Sequence, residues 1–256
     1  MWDQIILNPM INILLGIYKI FPLHNFGLSI IFLTILINLL IYPLNASQMK
    51  STQKMQNLQK SKEWLDIAKK HKDNKQQQQA EQAKLLQSAG INPLGSCLPL
   101  LIQFPIIIGL YQSIMAALAV TPIQLITLSH RIYPVLKATS LIPLNIRFLW
   151  MTDLSLPERL TIFGYGIPLL AILVAITTYL SSKIMTPPPA DPKDQSAAMG
   201  KMMNLYMPFL MGYISYTFSA GLAIYFVTGN IFRIVQYAIM GKVDWKTLIP
   251  FIKPRS

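Results

Sequence analysis

The chain has 256 residues, of which 53% are hydrophobic and only 12% charged, and this composition is too apolar for a water-soluble globule. Twenty-two Lys and Arg oppose ten Asp and Glu, so the formal net charge is +12. Few charges with a basic excess are typical of a membrane protein with basic cytoplasmic loops. The single cysteine, Cys97, excludes an intrachain disulfide, and His24, His71 and His130 are too scattered for a metal site.

The first segment, residues 1–25, is rich in Ile and Leu but carries polar residues along its whole length. A helix that lies in the membrane interface fits this pattern better than a transmembrane span. No Lys or Arg precedes the apolar run and no small-residue cleavage site follows it, so a cleavable signal peptide is not expected. The interrupting residues are Asp3, Asn8, Pro9, Asn12 and Lys19.

Four later stretches are long and apolar enough to cross a bilayer, which takes about 20 mainly apolar residues. They are residues 26–44, 98–120, 161–181 and 202–241. The last one contains a single charge, Arg233, and as one helix would reach about 60 Å, twice the hydrocarbon thickness. It is therefore predicted to fold back as spans 202–218 and 220–240, with a turn at Ser219-Ala220-Gly221. The fold class predicted is an all-α membrane protein with five transmembrane helices.

The orientation of these five spans follows from the basic residues of the loops. Loops 45–97 and 182–201 and the tail 241–256 together hold sixteen Lys and Arg, whereas the N-terminal segment and loop 121–160 hold five. The sixteen fall on one side of the membrane. The N-terminus is therefore predicted outside and the C-terminus in the cytoplasm.

The cytoplasmic loop 45–97 is predicted to form a helical hairpin. Residues 46–89 contain neither Gly nor Pro and are dense in Lys, Gln, Glu and Ala, which favours helix. Met55, Leu58 and Leu65 recur at helical spacing, and Asp73-Asn74 is the expected turn between two antiparallel helices. Its nine lysines are explained either as a solvated face or as a docking surface for an acidic or RNA-rich partner such as a ribosome.

The interiors of the five spans lack Asp, Glu, His and Lys, which argues against an intramembrane enzyme and against a proton or ion relay. Neutral hydrogen-bonding groups are present instead. Singly they are explained as interhelical hydrogen bonds, and together they could line a polar cavity. These residues are Thr34 and Asn38, which with Tyr42 are spaced four apart on one helical face, Gln103 and Gln112, and Thr228, Asn230 and Gln236.

Several segments resemble the YidC/Oxa/Alb family of membrane-protein insertases, and the resemblance covers essentially the whole chain. Residues 90–111, GINPLGSCLPLLIQFPIIIGLY, are similar to the family signature that enters its second span. Residues 202–230, MMNLYMPFLMGYISYTFSAGLAIYFVTGN, are similar to its fourth and fifth spans. Tyr42-Pro43-Leu44 and residues 148–158, FLWMTDLSLPE, match further.

The resemblance implies a five-helix bundle in the bacterial plasma membrane, with a polar groove open to cytoplasm and lipid but closed outside. A nascent membrane protein would enter this groove and slide into the bilayer without a cofactor or nucleotide. The implied partners are nascent membrane proteins and lipid, with a ribosome, the signal recognition particle receptor and a Sec translocase as further candidates, and no specific nucleic acid. The groove residues expected are Thr34, Asn38, Gln103, Phe226, Asn230 and Arg233.

Three positions depart from the family pattern. Asn38 stands where the family usually has an arginine, Ser219 replaces a usual proline, and the tail 241–256 is short. Arg233 lies about as deep as Asn38, so it either supplies the groove charge that Asn38 lacks or extends to the cytoplasmic headgroups. Two other functions stay open at this point: a small-solute channel or carrier, and a non-catalytic translocase subunit.

Overall fold

A computed structural model describes residues 1–21, 24–71, 74–91, 98–118, 121–136, 144–162, 164–185 and 195–240. The fold is mostly helical, and a helical turn at Asp3–Leu7 precedes the first α-helix. The helices are α1 (Asn8–Ile20), α2 (Phe26–Leu40), α3 (Tyr42–Gln59), α4 (Lys62–Lys70), α5 (Lys75–Ser88), α6 (Leu98–Ala117), α7 (Pro122–Arg131), α8 (Leu169–Met185), α9 (Gln195–Thr217) and α10 (Ala220–Ile239). The predicted tail 241–256, Asp73 of the predicted hairpin turn and parts of loops 45–97 and 182–201 lie outside the described residues.

Helix α10 is the centre of the bundle. It packs against α2, α6, α8 and α9, and α1 lies across α2 and α6. Its first six residues are all buried. The core around it is built mainly from aliphatic side chains of α1, α2, α6, α8 and the loop before β1, among them Leu14 and Leu15, Ile30 and Leu33, Leu110 and Ile114, Leu154, and Val174.

Among the described helices, Ala220–Ile239 is the one that is long and apolar enough by itself to cross a bilayer. The pair Phe26–Leu40 and Tyr42–Gln59, bent by 55°, would add a second crossing if it counts as one span. Two shorter apolar helices, Gln103–Ala117 and Leu169–Ile184, also occur.

The first predicted span ends earlier than residue 44. Helix α2 stops at Leu40, and α3 begins at Tyr42 after the bend. The cause is Pro43, which cannot donate a backbone hydrogen bond and whose ring would clash with the carbonyl group one turn before it. Tyr42 therefore belongs to α3 and is exposed, so it does not share the buried face of Thr34 and Asn38 as the spacing predicted.

The third predicted span, 161–181, begins before its helix does, because a short strand hairpin precedes α8 in a fold that is otherwise mostly helical. Strands β1 (Leu160–Ile162) and β2 (Tyr165–Ile167) form an antiparallel hairpin before α8. Gly164 has a φ of +83°, which glycine adopts without strain, and β-branched and aromatic residues flank it. The helix therefore starts at Leu169 rather than near residue 161.

The described part of loop 45–97 forms three helices, not the predicted two. Helix α3 follows α2 after the bend, and Ser61 separates α3 from α4 by accepting a hydrogen bond from the Trp64 backbone at 3.3 Å. Helices α4 and α5 then pack together. Trp64, which flanks the predicted stripe, is buried with Leu86 and Ile91 in a small apolar cluster separate from the main core. Met55 and Leu58 of the stripe, and Leu85, pack against this cluster.

The turn between α9 and α10 lies at Phe218 and Ser219, not at Ser219-Ala220-Gly221 as predicted. Gly221 is in the first turn of α10. A residue in the left-handed backbone conformation is not needed, because Ser219 has an extended backbone. The carbonyl groups of Leu156 and Leu154, in the loop before β1, accept from the N–H groups of Ala220 and Gly221. The glycine is required for packing instead: a Cβ there would lie 3.0 Å from Ile114 Cγ2 and 3.1 Å from Ile30 Cδ1.

Gly221→Val is expected to destabilise the bundle by about 1–3 kcal/mol, because its extra carbons overfill this contact. The midpoint of thermal unfolding in detergent measures the effect. Gly221→Ala is the graded control and should cost less, since the ends of two flexible side chains can move by a few tenths of an ångström. An unchanged midpoint for the valine variant would contradict the packing role.

Candidate functional site

Helices α2 and α10 cross closely where α10 has a glycine. A Cβ on Gly229 would lie 3.9 Å from Asn38 Nδ2 and 4.0 Å from Thr34 Cγ2. Both side chains are buried, and each donates to the backbone of its own helix: Thr34 Oγ1 to the Ile30 carbonyl at 2.6 Å, and Asn38 Nδ2 to the Thr34 carbonyl at 2.8 Å. The two predicted residues thus form a neutral polar pair facing α10.

Gln103 joins α6 to α10 through a residue that sequence reasoning missed. Its Nε2 donates to the hydroxyl of Tyr225 at 2.5 Å, and Tyr225 is 3% exposed. A buried phenol usually has a hydrogen-bond partner, so this pair connects α6 to α10 near the N-terminal end of α10. The spacing could have indicated Tyr225, because it precedes Gly229 by one helical turn and therefore lies on the same side of α10.

Asn230 faces away from Thr34 and Asn38. Its Nδ2 donates to Oγ1 of Thr178 at 2.8 Å and of Thr177 at 3.2 Å, both on α8. The structure therefore does not bring Asn230 together with the α2 pair. It connects α10 to α8, and the two threonines are further residues that the sequence analysis did not identify.

Phe226 and Arg233 are both half-buried on α10. Phe226 packs against the core, and its ring centroid lies 5.6 Å from that of Tyr225. Arg233 follows Gly229 by four residues and Asn230 by three, so it lies between the sides of α10 that face α2 and α8. It forms no ion pair with the residues that the structure describes.

The other polar residues expected in the spans are dispersed. Gln112 is exposed and accepts a hydrogen bond from the indole Nε1 of Trp2 at 2.7 Å, so it fastens the N-terminal segment. Thr228 is half-buried. Gln236 is buried on α10, and within the described part of the chain its Nε2 has no hydrogen-bond partner.

The end of the bundle at which α10 begins is covered by residues 144–158, the loop before β1, which we call the outer seal after its predicted side of the membrane. The carbonyl groups of Leu156 and Leu154 accept from the first N–H groups of α10, those of Ala220 at 2.8 Å and Gly221 at 3.0 Å. Leu154 is fully buried. These bonds satisfy helix-terminal donors that would otherwise lack partners.

Two further attachments hold the outer seal in place. Phe148 packs directly on Gly27 at the start of α2, where a Cβ would lie only 2.3 Å from its ring. Glu158 is buried and accepts hydrogen bonds from Trp150 Nε1 at 2.8 Å and from the Leu170 backbone in the first turn of α8 at 3.0 Å. A carboxylate at a helix N-terminus is electrostatically favourable. The seal is therefore bonded to α2, α8 and α10.

The arrangement is a mostly helical bundle with many exposed apolar side chains and with neutral polar groups inside, which suits a membrane protein. In the described ranges, no three His, Cys, Asp or Glu side chains gather into a metal-binding group.

Comparisons with known proteins agree with this class. The sequence model of the 60Kd inner membrane protein family matches residues 16–246. Membrane protein insertase YidC of Clostridium tetani is 34% identical over 225 residues, which cover 88% of this chain and 86% of that protein. Membrane protein insertase MisCA of Bacillus subtilis is 34% identical over 247 residues, covering 96% of this chain and 81% of that protein.

The fold matches the crystal structure of an active YidC insertase with its first transmembrane domain resolved, at a TM-score of 0.56 and 25% identity. The match covers 93% of this chain and 46% of that one. The chain belongs to the 60Kd inner membrane protein family, and membrane insertion is the function that these relatives support. The resemblance inferred from the sequence is thus confirmed, and so is the assignment to a membrane.

Proposed function

We propose that this chain inserts nascent membrane proteins through a polar path between α2, α6 and α10. The observation that supports this proposal most directly is that the outer seal covers the start of α10. Below it, the polar groups succeed one another toward the C-terminal end of α10: Tyr225 with Gln103, then Thr34, then Asn38 and Arg233. At 1.5 Å per residue, Tyr225 lies about 8 Å and Arg233 about 20 Å below the start of α10.

A path that is polar inside and closed outside suits a segment that enters from the cytoplasm and leaves sideways into lipid. Its driving force is the transfer of apolar side chains into the bilayer, at about 0.8 kcal/mol per methylene group, so no nucleotide is needed. A channel or carrier needs access to both sides. The bonds between the outer seal and α10 therefore favour insertion over permeation.

The topology that goes with this function has five transmembrane helices, α2, α6, α8, α9 and α10. The N-terminus is outside with α1 in the interface, and the C-terminus is in the cytoplasm. This orientation puts the hairpin α3 to α5 and its lysines on the cytoplasmic side, where a ribosome, the signal recognition particle receptor or a Sec translocase can contact it.

Site-specific photocrosslinking tests the path. Small photoreactive side chains at Thr34, Gln103 and Phe226 are expected to crosslink a stalled nascent membrane protein. The matched control is Ile231, which is exposed on the opposite side of α10 and should crosslink lipid instead. If the three site positions crosslinked only a large translocase subunit, and no nascent chain, the proposal would be overturned. The chain would then be a non-catalytic subunit of a translocase.

Deletion of residues 46–89 is expected to impair insertion far more than it lowers the stability of the bundle. The physical reason is that the apolar cluster around Trp64 is separate from the main core, so the hairpin contributes little to it. An insertion assay and thermal unfolding of the same purified protein compare the two effects. If stability fell as steeply as insertion, the hairpin would be part of the folded core.

A further inference from the structure

Helix α7, in the loop that the proposed topology places outside, presents an apolar face without a partner among the described residues. Ile123 and Ile126, one turn apart, are 76% and 61% exposed, and Val135 after the helix is 84% exposed. Leu128 on the opposite side is buried in the main core. The helix contains no Asp or Glu and ends in His130 and Arg131.

This face is held rigidly. A capping box begins the helix: Thr121 N–H donates to Gln124 Oε1 at 3.1 Å, and Gln124 N–H donates to Thr121 Oγ1 at 3.3 Å. At the other end, the Asn12 side chain of α1 donates to the Arg131 carbonyl at 2.8 Å and accepts from the Tyr133 N–H at 2.7 Å. The exposed isoleucines therefore have a fixed direction relative to α1.

The depth of α7 follows from its neighbours. It begins five residues after Ala117, the end of α6, and Arg131 at its own end pairs with Asp3 at 3.3 Å. The adjacent Trp2 bonds to Gln112, which lies about 8 Å below the end of α6. Helix α7 therefore does not rise into the aqueous space but lies at the level where α6 meets the outer headgroups.

We propose that the face formed by Ile123, Ile126, Tyr133 and Val135 docks on the outer leaflet of the bilayer. On this side His130 follows Ile126 by one turn, so the exposed isoleucines stand beside a basic helix end. Exposed large apolar side chains, a basic helix end and a tyrosine at headgroup level are typical of a segment that lies in the membrane interface. The face continues the apolar surface of α6, where Met115 is also exposed near the same end. The inference rests on the proposed five-span topology.

Nitroxide accessibility in vesicles tests the docking. The single cysteine is first removed by Cys97→Ser, and spin labels are attached to Ile123→Cys and to Ile126→Cys in the full chain. Vesicles of phosphatidylcholine and phosphatidylglycerol contain no other protein. Collision rates with oxygen, which concentrates in lipid, are compared with those of a water-soluble nickel chelate. The ratio at positions 123 and 126 is expected to be several-fold higher than at an aqueous position.

Two reference positions separate this inference from the topology. Phe209→Cys, on the exposed side of α9, should report lipid, and Thr152→Cys, on the exposed side of the outer seal, should report water. If Phe209 reports lipid while positions 123 and 126 match Thr152, docking is overturned and the topology stands; a protein partner would then be the candidate for this face. If Phe209 also reports water, the topology fails and the docking inference fails with it.

Discussion

Arg233→Ala is expected to lower the insertion of clients with acidic tails about tenfold, equivalent to about 1.4 kcal/mol in the barrier. The guanidinium carries the one charge among residues 220–240, and the described residues leave it without an ion pair. At an effective dielectric constant of about 20, a carboxylate about 6 Å away would gain about 3 kcal/mol from it. This attraction of about 3 kcal/mol is larger than the roughly 1.4 kcal/mol that a tenfold loss of insertion corresponds to.

The measurement is insertion into vesicles of two clients that differ only in an acidic or a neutral tail. Arg233→Ala should lower the insertion of the client with the acidic tail and leave that of the client with the neutral tail unchanged. Adding Asn38→Arg to this variant should restore insertion of the acidic client. Asn38 faces Gly229, which is one turn from Arg233 on α10, so the new charge would lie in the same path. Asn38→Gln is the neutral control and should restore nothing. Failure of the arginine rescue in a folded protein would favour an Arg233 that extends to the headgroups.

Gly27→Ala is expected to destabilise the protein by about 3 kcal/mol, the upper end of the usual cost of overpacking. The new Cβ would lie 2.3 Å from Phe148 Cγ and 2.7 Å from its Cβ, distances that no rotation of the ring relieves. The loop cannot easily withdraw. Phe148 exchanges two backbone hydrogen bonds with Met151, and Phe26 N–H donates to the Asn145 carbonyl.

Thermal unfolding in detergent measures this effect, and Gly16→Ala is the matched control. Gly16 lies inside α1, where a Cβ would meet only Leu136 Cδ2 at 3.9 Å, an ordinary contact. The control should be neutral or slightly stabilising, since alanine favours helix over glycine by about 1 kcal/mol. Equal unfolding midpoints for the two variants would show that Phe148 does not hold the seal against α2.

Composition and hydropathy predicted the class of protein, and residue spacing predicted several polar groups of the site. Long uncharged stretches can be buried only in lipid or in other helices, so hydropathy located the helices around α2, α6, α8, α9 and α10. Helical spacing alone placed Thr34 and Asn38 on one face, because residues four apart are neighbours on any α-helix. The asymmetry of the basic residues predicted an orientation without reference to packing.

The side chains that each helix presents to its neighbours could be assigned only from the packed bundle. Asn230 and Gly229 are adjacent in sequence, but one lies against α8 and the other against α2, and no periodicity specifies which helix covers which side of α10. The outer seal bonds to residues more than sixty positions away, so local patterns could not place the turn at Ser219 or reveal why Gly221 is small. Pro43 was visible in the sequence, yet only the bundle shows that the bend it causes removes Tyr42 from the face of Asn38.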